Sequence, residues 1–542
     1  MRDAHAAPAD SLERPRQQRQ RREQEAATAM AAAAAGKAAG KANEAAGGRA
    51  AGQPRVHARQ IAWLTVIILL FLLGVSGSVI LWQTRLWDDY IDSQITIRND
   101  TPAYQKWAKS EVTSLLRYWI FNYTNVAEFM AGDDAKLRVQ DVGPYTFREI
   151  THRVNDVFHP NGTVSYNEER DYQFLPELSN GKMSDNISSL HLLFIGMNYV
   201  ARRYSYLERL PLWSFVNLMR PKAIVTRTAH EWFWGYSDAV KAFVELKQGK
   251  IKAGIIQSAN GTSPDTMTVF TGVDDVSRLG EITRFNGLEL MDFYSTKECN
   301  RVDGSDGARF PPPAVKPGAT LHIYHREACR RVPIVYEKDV TVWDDIPARR
   351  FRAPKNLFDN GNDSPENQCY CKDTHYDRCF PSGVINTEHC REGAPFFVSY
   401  PHFLFGDESY RNDIEGLNPD EERHYMHIDI HQRIGATVAI KSRFQLNALM
   451  SNFFDEPFMM KVNGRILPYL WIEREMEEWP EDLRASFRLM SFTAPAAHSV
   501  LRWGCPLLAL ATGLVLLVCL YVEVAALLRP GPYTPDMQMT RL

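Results

Sequence analysis

The sequence lacks the short motifs that mark the common catalytic sites. It contains no G-x-S-x-G turn, no H-E-x-x-H helix and no P-loop, each of which would hold a nucleophile, a metal ion or a phosphate group in a defined geometry. His230-Glu231 begins the metal motif, but no second histidine follows at the required spacing. We therefore expect a protein that is not an enzyme and that carries no cofactor.

A strong excess of either charge is also missing. The 542 residues include 62 Lys and Arg and 65 Asp and Glu, a formal net charge of −3, and nothing outside the N-terminal tail is basic enough to indicate a nucleic acid partner. No Pro/Gly/Ser linker and no internal repeat divides the long middle of the chain. The middle is therefore expected to form one large sheet-based fold or two domains.

Two uncharged apolar runs are present, at residues 61–82 and 504–522. Each is close to the ~20 residues that a helix needs to cross about 30 Å of hydrocarbon. Residues 1–60 contain eleven Lys and Arg against six Asp and Glu, which places them in the cytosol. A cleaved signal peptide is the alternative for the first run, but its apolar core is too long and too far from the N-terminus.

This topology divides the chain into five segments. They are a disordered basic cytosolic tail (1–60), a transmembrane helix (61–82), an ectodomain (83–503), a second transmembrane helix (504–524) and a short cytosolic tail (525–542). Six N-glycosylation sequons all fall in the ectodomain, where glycans would have to lie on its surface. The acceptor residues are Asn99, Asn122, Asn161, Asn186, Asn260 and Asn362.

Six of the eight cysteines also lie in the ectodomain, and the other two lie in the second apolar run. An even number in an oxidising compartment predicts disulfides. Zinc is the alternative, but the C-x-C spacing of Cys369 and Cys371 is shorter than that of structural zinc sites. Because these two residues point to opposite sides of an extended chain, they should have different partners, although six cysteines still allow fifteen pairings.

The ectodomain mixes strands and helices. A hairpin is predicted over residues 150–166 with Pro160-Asn161-Gly162 as its turn, and helices are predicted over 190–204, 206–219 and 238–248. Residues 437–446 alternate as a strand with one wet side. Its apolar face carries Val438, Ile440, Phe444 and Leu446, and its polar face carries Thr437, Lys441, Arg443 and Gln445.

Two segments are candidates for binding. Residues 207–219 form an apolar helix that ends in Arg220 and Lys222 and could bind amphiphiles, or could simply pack inward through Trp213, Phe215 and Leu218. The segment after His424 alternates so that His427, Asp429 and His431 share one strand face. Metal binding is one interpretation of this face, and a polar outer surface over inward isoleucines is the one we favour.

Many short motifs between the two apolar runs resemble those of the class B scavenger receptors. This family includes the platelet glycoprotein IV/fatty acid translocase, the lysosomal integral membrane protein type 2, croquemort and the sensory neuron membrane proteins. The long N-terminal tail departs from the family pattern. The matching motifs are FNYTN (121–125), VGPYTFRE (142–149), WGY (234–236), CN (299–300), DGSDG (303–307), FPP (310–312), CR (329–330), GAP (393–395), SYPHF (399–403), EGLNP (415–419) and RFQLN (443–447).

The resemblance implies an α+β ectodomain, in which an antiparallel β-barrel with a hydrophobic tunnel is capped by a helical bundle. It implies the disulfides Cys299–Cys369, Cys329–Cys390 and Cys371–Cys379. It also implies ligand capture at the apex of the bundle. We take the apex residues to be Leu210, Trp213, Phe215, Arg220 and Lys222, and strand alternation nominates Ile440 and Phe444 for the tunnel.

We therefore expect a glycosylated cell-surface receptor that binds fatty acids, phospholipids, sterols or lipoprotein particles and passes lipid to the membrane. A lysosomal trafficking receptor for a soluble enzyme and an adhesion or pathogen-recognition receptor are the alternatives. Neither tail contains an acidic dileucine or a Y-x-x-Φ sorting signal, which favours the plasma membrane.

The C-terminal residues Thr540, Arg541 and Leu542 resemble a ligand of PDZ-type domains, which bind a terminal carboxylate and the last apolar side chain. An inert tail is the alternative. A homo-oligomer is also compatible with the sequence.

Overall fold

The computed structural model describes residues 54–99, 101–371, 379–391 and 393–528. The chain divides into two units, one formed by Met1–Trp82 with Arg502–Leu542 and the other by Gln83–Leu501. Residues 1–53 of the predicted N-terminal tail and the proposed PDZ ligand at Thr540 to Leu542 lie outside the described residues.

The second unit is built on antiparallel strands. Most of them are rich in Val, Ile, Tyr and Phe, the residues that fit a pleated surface. In chain order they are β1 (Ser114–Tyr123), β2 (Leu137–Phe158), β3 (Thr163–Phe174), β4 (Asn186–Leu190), β5 (Ile224–Thr228), β6 (Gly261–Phe270), β7 (Ile282–Phe285), β8 (Thr320–His325), β9 (Arg330–Val342), β10 (Ile346–Arg352), β11 (Ile385–Asn386), β12 (Phe396–Ser399), β13 (Ile414–Glu415), β14 (His427–Ile430), β15 (Thr437–Leu449) and β16 (Ile466–Met476).

Fourteen of these strands form one sheet, and β4 and β5 form a separate ribbon. The order along the main sheet is β7-β6-β3-β2-β1-β16-β15-β14-β10-β9-β8, with β11, β12 and β13 attached to its sides. The two ends of the sheet meet through one connecting segment. Ile282 of β7 donates to the Gly304 carbonyl at 2.7 Å, and Ser305 donates to the His322 carbonyl of β8 at 2.8 Å. The sheet is therefore a nearly closed antiparallel barrel.

Helices lie between the strands and at both ends of the chain. Most of them are short. In chain order they are α1 (Pro54–Gln83), α2 (Leu86–Ile95), α3 (Pro102–Ala108), α4 (Val126–Ala131), α5 (Leu192–Val200), α6 (Tyr206–Met219), α7 (Ala229–Trp234), α8 (Ala239–Gln248), α9 (Ile255–Ala259), α10 (Ser409–Asn412), α11 (Glu421–His424), α12 (Pro457–Lys461), α13 (Glu481–Arg488) and α14 (Ala494–Leu527).

The local predictions for strands and helices are confirmed. Strands β2 and β3 form the expected hairpin, in which Phe158 pairs with Val164. The three predicted helices correspond to α5, α6 and α8, and Asp238 caps α8 by accepting a hydrogen bond from the Lys241 backbone at 2.8 Å. The α+β class predicted from the sequence is therefore confirmed.

The wet side predicted for β15 is partly wrong. Lys441 reaches solvent, but Arg443 and Gln445 are buried. Arg443 is paired with Glu473 at 2.6 Å, and its guanidinium also donates to the Tyr425 carbonyl at 2.8 Å. The chain between β12 and β14 therefore covers this polar face, which alternation along one strand cannot reveal.

Two helices are long and apolar enough to cross a membrane, Arg59–Gln83 and Glu481–Leu527. Within the first unit they pack closely at Gly74, where an added Cβ would lie 2.7 Å from the Ala509 nitrogen. The Trp82 and Trp503 rings meet edge to face at 5.2 Å. The chain is a membrane protein with two spans.

Three disulfides join the six cysteines between the two apolar helices, and they are the pairs that the family resemblance implies. Cys299 is bonded to Cys369, Cys329 to Cys390 and Cys371 to Cys379.

The six sequons differ in exposure. Asn99, Asn161, Asn186 and Asn362 are exposed, whereas Asn122 and Asn260 are half-buried. The Asn122 side chain lies within β1 and accepts a hydrogen bond from the Ser188 backbone at 2.8 Å.

Candidate ligand-binding surface and barrel interior

Helix α6 leaves a stripe of apolar side chains in water. Tyr206, Leu210 and Trp213 follow one another at intervals of four and three residues, which places them on one side of the helix. They are 75%, 45% and 49% exposed, and Leu218 near the end of the helix is 81% exposed. The alternative prediction that Trp213 and Leu218 pack inward is therefore wrong. A contiguous exposed apolar patch marks a binding surface more often than scattered single residues do.

The opposite side of α6 holds the helix in place. Leu212 and Val216 are buried, and the Phe215 ring stacks on the Phe243 ring of α8 with centroids 4.3 Å apart. Phe215, which the sequence nominated as a ligand residue, is thus half-buried in packing between the two helices. It supports the exposed stripe rather than lining it.

Two exposed cations, Arg220 and Lys222, follow this stripe directly in the chain, and we call them the basic rim. Residues 201–252 contain ten Lys and Arg against four Asp and Glu, although the whole chain carries a formal charge of −3. Arg220 and Lys222 are both exposed directly after α6, and Arg220 ends the helix in a left-handed conformation with φ 45°. An apolar stripe beside fixed positive charge suits an amphiphile with an anionic group.

The two residues nominated for the tunnel share one face of the barrel wall. Phe444 of β15 pairs with Ile472 of β16, and Ile472 pairs with Tyr118 of β1. Ile440 lies four residues before Phe444 on the same face. We call this the inward face, because the β8–β9 hairpin, at the far end of the same sheet, lies against it. The His325 ring of that hairpin lies 5.7 Å from the Phe444 ring.

Charged side chains cross the inward face in a group that the sequence analysis did not identify. We call it the charged belt, and it consists of Glu149, Glu168, Arg170, Arg326, Glu327 and Arg474.

The belt is held together by ion pairs between strands. Arg474 lies 2.6 Å from Glu149, and Arg170 lies 2.7 Å from Glu168. Arg326 of the hairpin turn reaches Glu168 at 3.4 Å and Glu327 at 3.0 Å. The hairpin turn therefore connects the belt to β3.

Burial and charge act in opposite directions on the belt residues. Burial alone would raise the pKa of the Glu168 carboxyl, but Arg170 and Arg326 hold that pKa below its ordinary value. Burial would lower the pKa of the Arg170 guanidinium, yet Glu168 and Glu149 raise it. Glu168 and Arg170 are therefore ionised at neutral pH, because each charge stabilises the other.

Along β3 the belt separates two apolar clusters. Val164 and Tyr166 belong to one cluster, and Tyr172 belongs to the other. Glu168 and Arg170 lie between them on the same face, since side chains two residues apart point the same way. The alternation of the two faces of β3 was visible in the sequence. Every odd-numbered residue from Ser165 to Gln173 is polar and would occupy the outer face.

The outer face of the barrel wall carries a second group of charges, on β1, β15 and β16. Arg117 of β1 lies 2.9 Å from Glu473 and 2.5 Å from Glu475. Glu473 also pairs with Arg443 at 2.6 Å, and Glu475 pairs with Lys441 at 3.0 Å. Both faces of this part of the wall are therefore ionic.

The histidine-rich strand β14 is occupied by structural contacts. Asp429 accepts two hydrogen bonds from Arg350 at 2.8 Å, and His431 shares a hydrogen bond with the Ser491 hydroxyl at 2.8 Å. His427, Asp429 and His431 do not form a cluster, and no group of three metal-ligating side chains occurs among the described residues. The favoured polar outer surface is also wrong, because Asp429 and His431 are buried.

The chain is similar to proteins of known class. The sequence model of the CD36 family matches residues 65–521. Scavenger receptor class B member 1 of Sus scrofa is 30% identical over 463 residues, which cover 84% of this chain and 89% of that protein. The same receptor of Cricetulus griseus is 31% identical over 75% of this chain and 79% of that protein. Lysosome membrane protein 2 of Homo sapiens is 28% identical over 76% of this chain and 85% of that protein.

Proposed function

We propose that this chain is a receptor that captures anionic lipid amphiphiles and passes them to the membrane. The chain belongs to the CD36 family, and its relatives in that family include scavenger receptors. The observation that carries this proposal is the exposed apolar stripe of α6, followed directly by the exposed cations Arg220 and Lys222 of the basic rim. Burying apolar chains against the stripe would contribute about 0.8 kcal/mol for each CH₂ group. The rim would attract the anionic group of the ligand.

The exposed stripe can be tested with matched surface variants. Leu210→Ser with Trp213→Ser removes apolar area from the stripe, and Val157→Ser with Leu178→Ser removes similarly exposed residues elsewhere. We expect the first pair to weaken binding to vesicles containing phosphatidylserine at least tenfold and the second pair to leave it unchanged. Equal losses in both would contradict capture at α6.

The rim can be tested separately from the stripe. Arg220→Glu with Lys222→Glu should weaken binding to phosphatidylserine vesicles strongly and binding to phosphatidylcholine vesicles little, because like charges repel while apolar contacts remain. Equal weakening for both vesicles would point to a folding defect instead of a charge effect.

We further propose that captured lipid moves along the inward face, which carries Ile440 and Phe444. No coupled energy source is required, since the amphiphile would exchange one apolar surface for another.

Both chain ends are proposed to lie in the cytosol. Cys519 in the second span is a candidate for palmitoylation.

A lysosomal protein is the second candidate, and the similarity to lysosome membrane protein 2 favours it specifically. The two candidates differ in location, so steady-state imaging of the full chain against plasma membrane and lysosomal markers separates them. We expect the plasma membrane, and predominant overlap with lysosomal markers would favour the alternative.

The C-terminal peptide proposal also has a direct test. A peptide ending in Thr540-Arg541-Leu542 should bind a PDZ domain, and the same peptide extended by one Ala should not. Binding that survives the extension would contradict recognition of the terminal carboxylate.

A further inference from the structure

We propose that the charged belt is a head-group site on the inward face, which admits amphiphiles with a carboxylate and rejects lipids without a charged group. This inference rests on the proposed function, because it concerns the route that lipid takes after capture. It assigns a ligand chemistry to residues that the capture surface does not include.

Arg170 is the centre of the site. Its guanidinium faces three carboxylates, but only Glu168 is close, at 2.7 Å. Glu149 and Glu327 lie at 3.8 Å and 3.9 Å. The Arg170 Nε is buried and has no hydrogen-bond partner among the residues that the structure describes. A buried guanidinium donor without a partner is costly, and a carboxylate oxygen is its best partner.

The belt also contains cations that could share a ligand. Arg474 pairs with Glu149 at 2.6 Å, yet about a third of its side chain remains exposed. Arg326 of the hairpin turn pairs with Glu168 and Glu327. A lipid carboxylate that enters at Arg170 would leave no glutamate without a cation, because Glu168 keeps Arg326 and Glu149 keeps Arg474.

The apolar clusters on both sides explain the selectivity. Tyr172 on one side and Tyr166 on the other lie within apolar clusters that could hold an acyl chain. A wholly apolar lipid would have to separate the ion pairs of the belt and supply nothing in exchange, which is strongly unfavourable in a buried site. A fatty acid would supply its own carboxylate.

Arg170→Gln is the informative variant, because it removes one cation without leaving a carboxylate unpaired. Glu149 keeps Arg474, and Glu168 and Glu327 keep Arg326. Arg117→Gln is a matched control on the outer face. It removes one cation, which pairs with two glutamates, and Glu473 keeps Arg443 while Glu475 keeps Lys441.

The experiment measures transfer of oleate and of methyl oleate from donor vesicles to proteoliposomes that contain the full glycosylated chain. We expect wild-type protein to transfer oleate at least tenfold faster than methyl oleate. Arg170→Gln should remove most of this preference by slowing oleate about tenfold, whereas Arg117→Gln should leave both rates unchanged.

Three results would overturn the proposal. Wild-type protein that transfers both lipids equally would refute selection by the belt but leave the lipid receptor standing. An Arg170→Gln variant that slows both lipids equally, or neither, would assign Arg170 a purely structural role. Wild-type protein that neither binds nor transfers either lipid would refute the proposed function as well.

Discussion

Helix α6 and strand β3 place their side chains in opposite ways. Helix α6 exposes Tyr206, Leu210 and Trp213 to water, whereas β3 turns Glu168 and Arg170 toward the inside of the barrel, between two apolar clusters. Folded proteins ordinarily bury large apolar residues and expose charges. Each inversion costs free energy unless a ligand or a partner charge compensates for it. An inversion without such compensation points to a surface that was not selected for stability alone.

The compensation differs between the two regions. The charges of the belt are compensated within the protein, by ion pairs as short as 2.6 Å. The stripe of α6 has no such compensation among the described residues, since its exposed side chains remain in contact with solvent. Removing a belt residue should consequently cost stability, and removing a stripe residue should cost binding.

The largest expected effect comes from leaving belt charges unpaired. Glu149→Leu would leave Arg474 and Arg170 without this carboxylate and Tyr172 without its acceptor at 2.8 Å. Breaking a buried pair in this way costs about 3–5 kcal/mol, which would be measured as a loss in the free energy of unfolding in urea.

The exposed pair of Arg138 and Glu415 provides the control for Glu149→Leu. These side chains are half exposed, so Glu415→Leu should change the free energy of unfolding by no more than about 1 kcal/mol. Similar losses for both variants would show that the belt contributes no more than a surface pair.

Acidic pH should lower the stability of the folded protein through buried histidines that lack a compensating charge. Burial, together with the neighbouring His402, lowers the pKa of His424 to about 3, and burial lowers the pKa of His431 to about 4. In the unfolded chain both rings titrate near 6.5. Below that pH the unfolded chain binds protons that the folded protein does not, so stability falls as the pH decreases from about 6.5. We expect a loss of roughly 2 kcal/mol per histidine between pH 7 and pH 5.

Glu168 and Glu327 of the belt do not contribute over this range, because their pKa values are depressed and they stay ionised. The measurement is the urea midpoint at pH 7 and pH 5. His424→Gln should reduce the difference between the two midpoints, and the exposed His159→Gln should not. A midpoint that does not change with pH would contradict the prediction.

A smaller effect separates support from capture within α6. Phe215→Ala removes the stack with Phe243 and should lower the free energy of unfolding by about 2 kcal/mol. Trp213→Ala removes an exposed ring and should change stability by no more than about 0.5 kcal/mol. Vesicle binding should show the reverse order once the two variants are compared under conditions where both are folded.

The smallest expected effect is steric. Phe444→Trp adds bulk to the inward face, and Lys441→Trp adds it to the outer face of the same strand. We expect the first to slow oleate transfer about threefold by narrowing the route and the second to leave transfer unchanged. An unchanged rate for Phe444→Trp would argue against passage along this face, because the residue lies beside the hairpin turn.

Local structure was largely predictable from the sequence. The hairpin of β2 and β3 followed from its alternation and its Pro-Asn-Gly turn, and α8 followed from the N-cap at Asp238. The two apolar helices followed from length and hydropathy alone. These features depend on neighbours along the chain, which is why a single sequence contains them.

The burial of whole faces was less predictable. Alternation correctly placed Ile440 and Phe444 on one face of β15, but it could not tell that Arg443 and Gln445 on the other face would be covered. The pairing of the cysteines came from the family resemblance, since spacing alone left fifteen possibilities. The same limit applied to α6, where helical spacing left both the inward and the exposed orientation open.

The sequence by itself determined two helices long enough to span a membrane, a mixed α+β region between them, and one hairpin, three helices and one further strand within that region, because each depends on local periodicity and length. Only the tertiary structure decided which charges meet. Arg326 and Glu168 are more than 150 positions apart in the chain, and they lie 3.4 Å from each other because the sheet curls until its last hairpin reaches β3. Ion pairs act over a few ångströms in space, so the charged belt exists only once the barrel has closed.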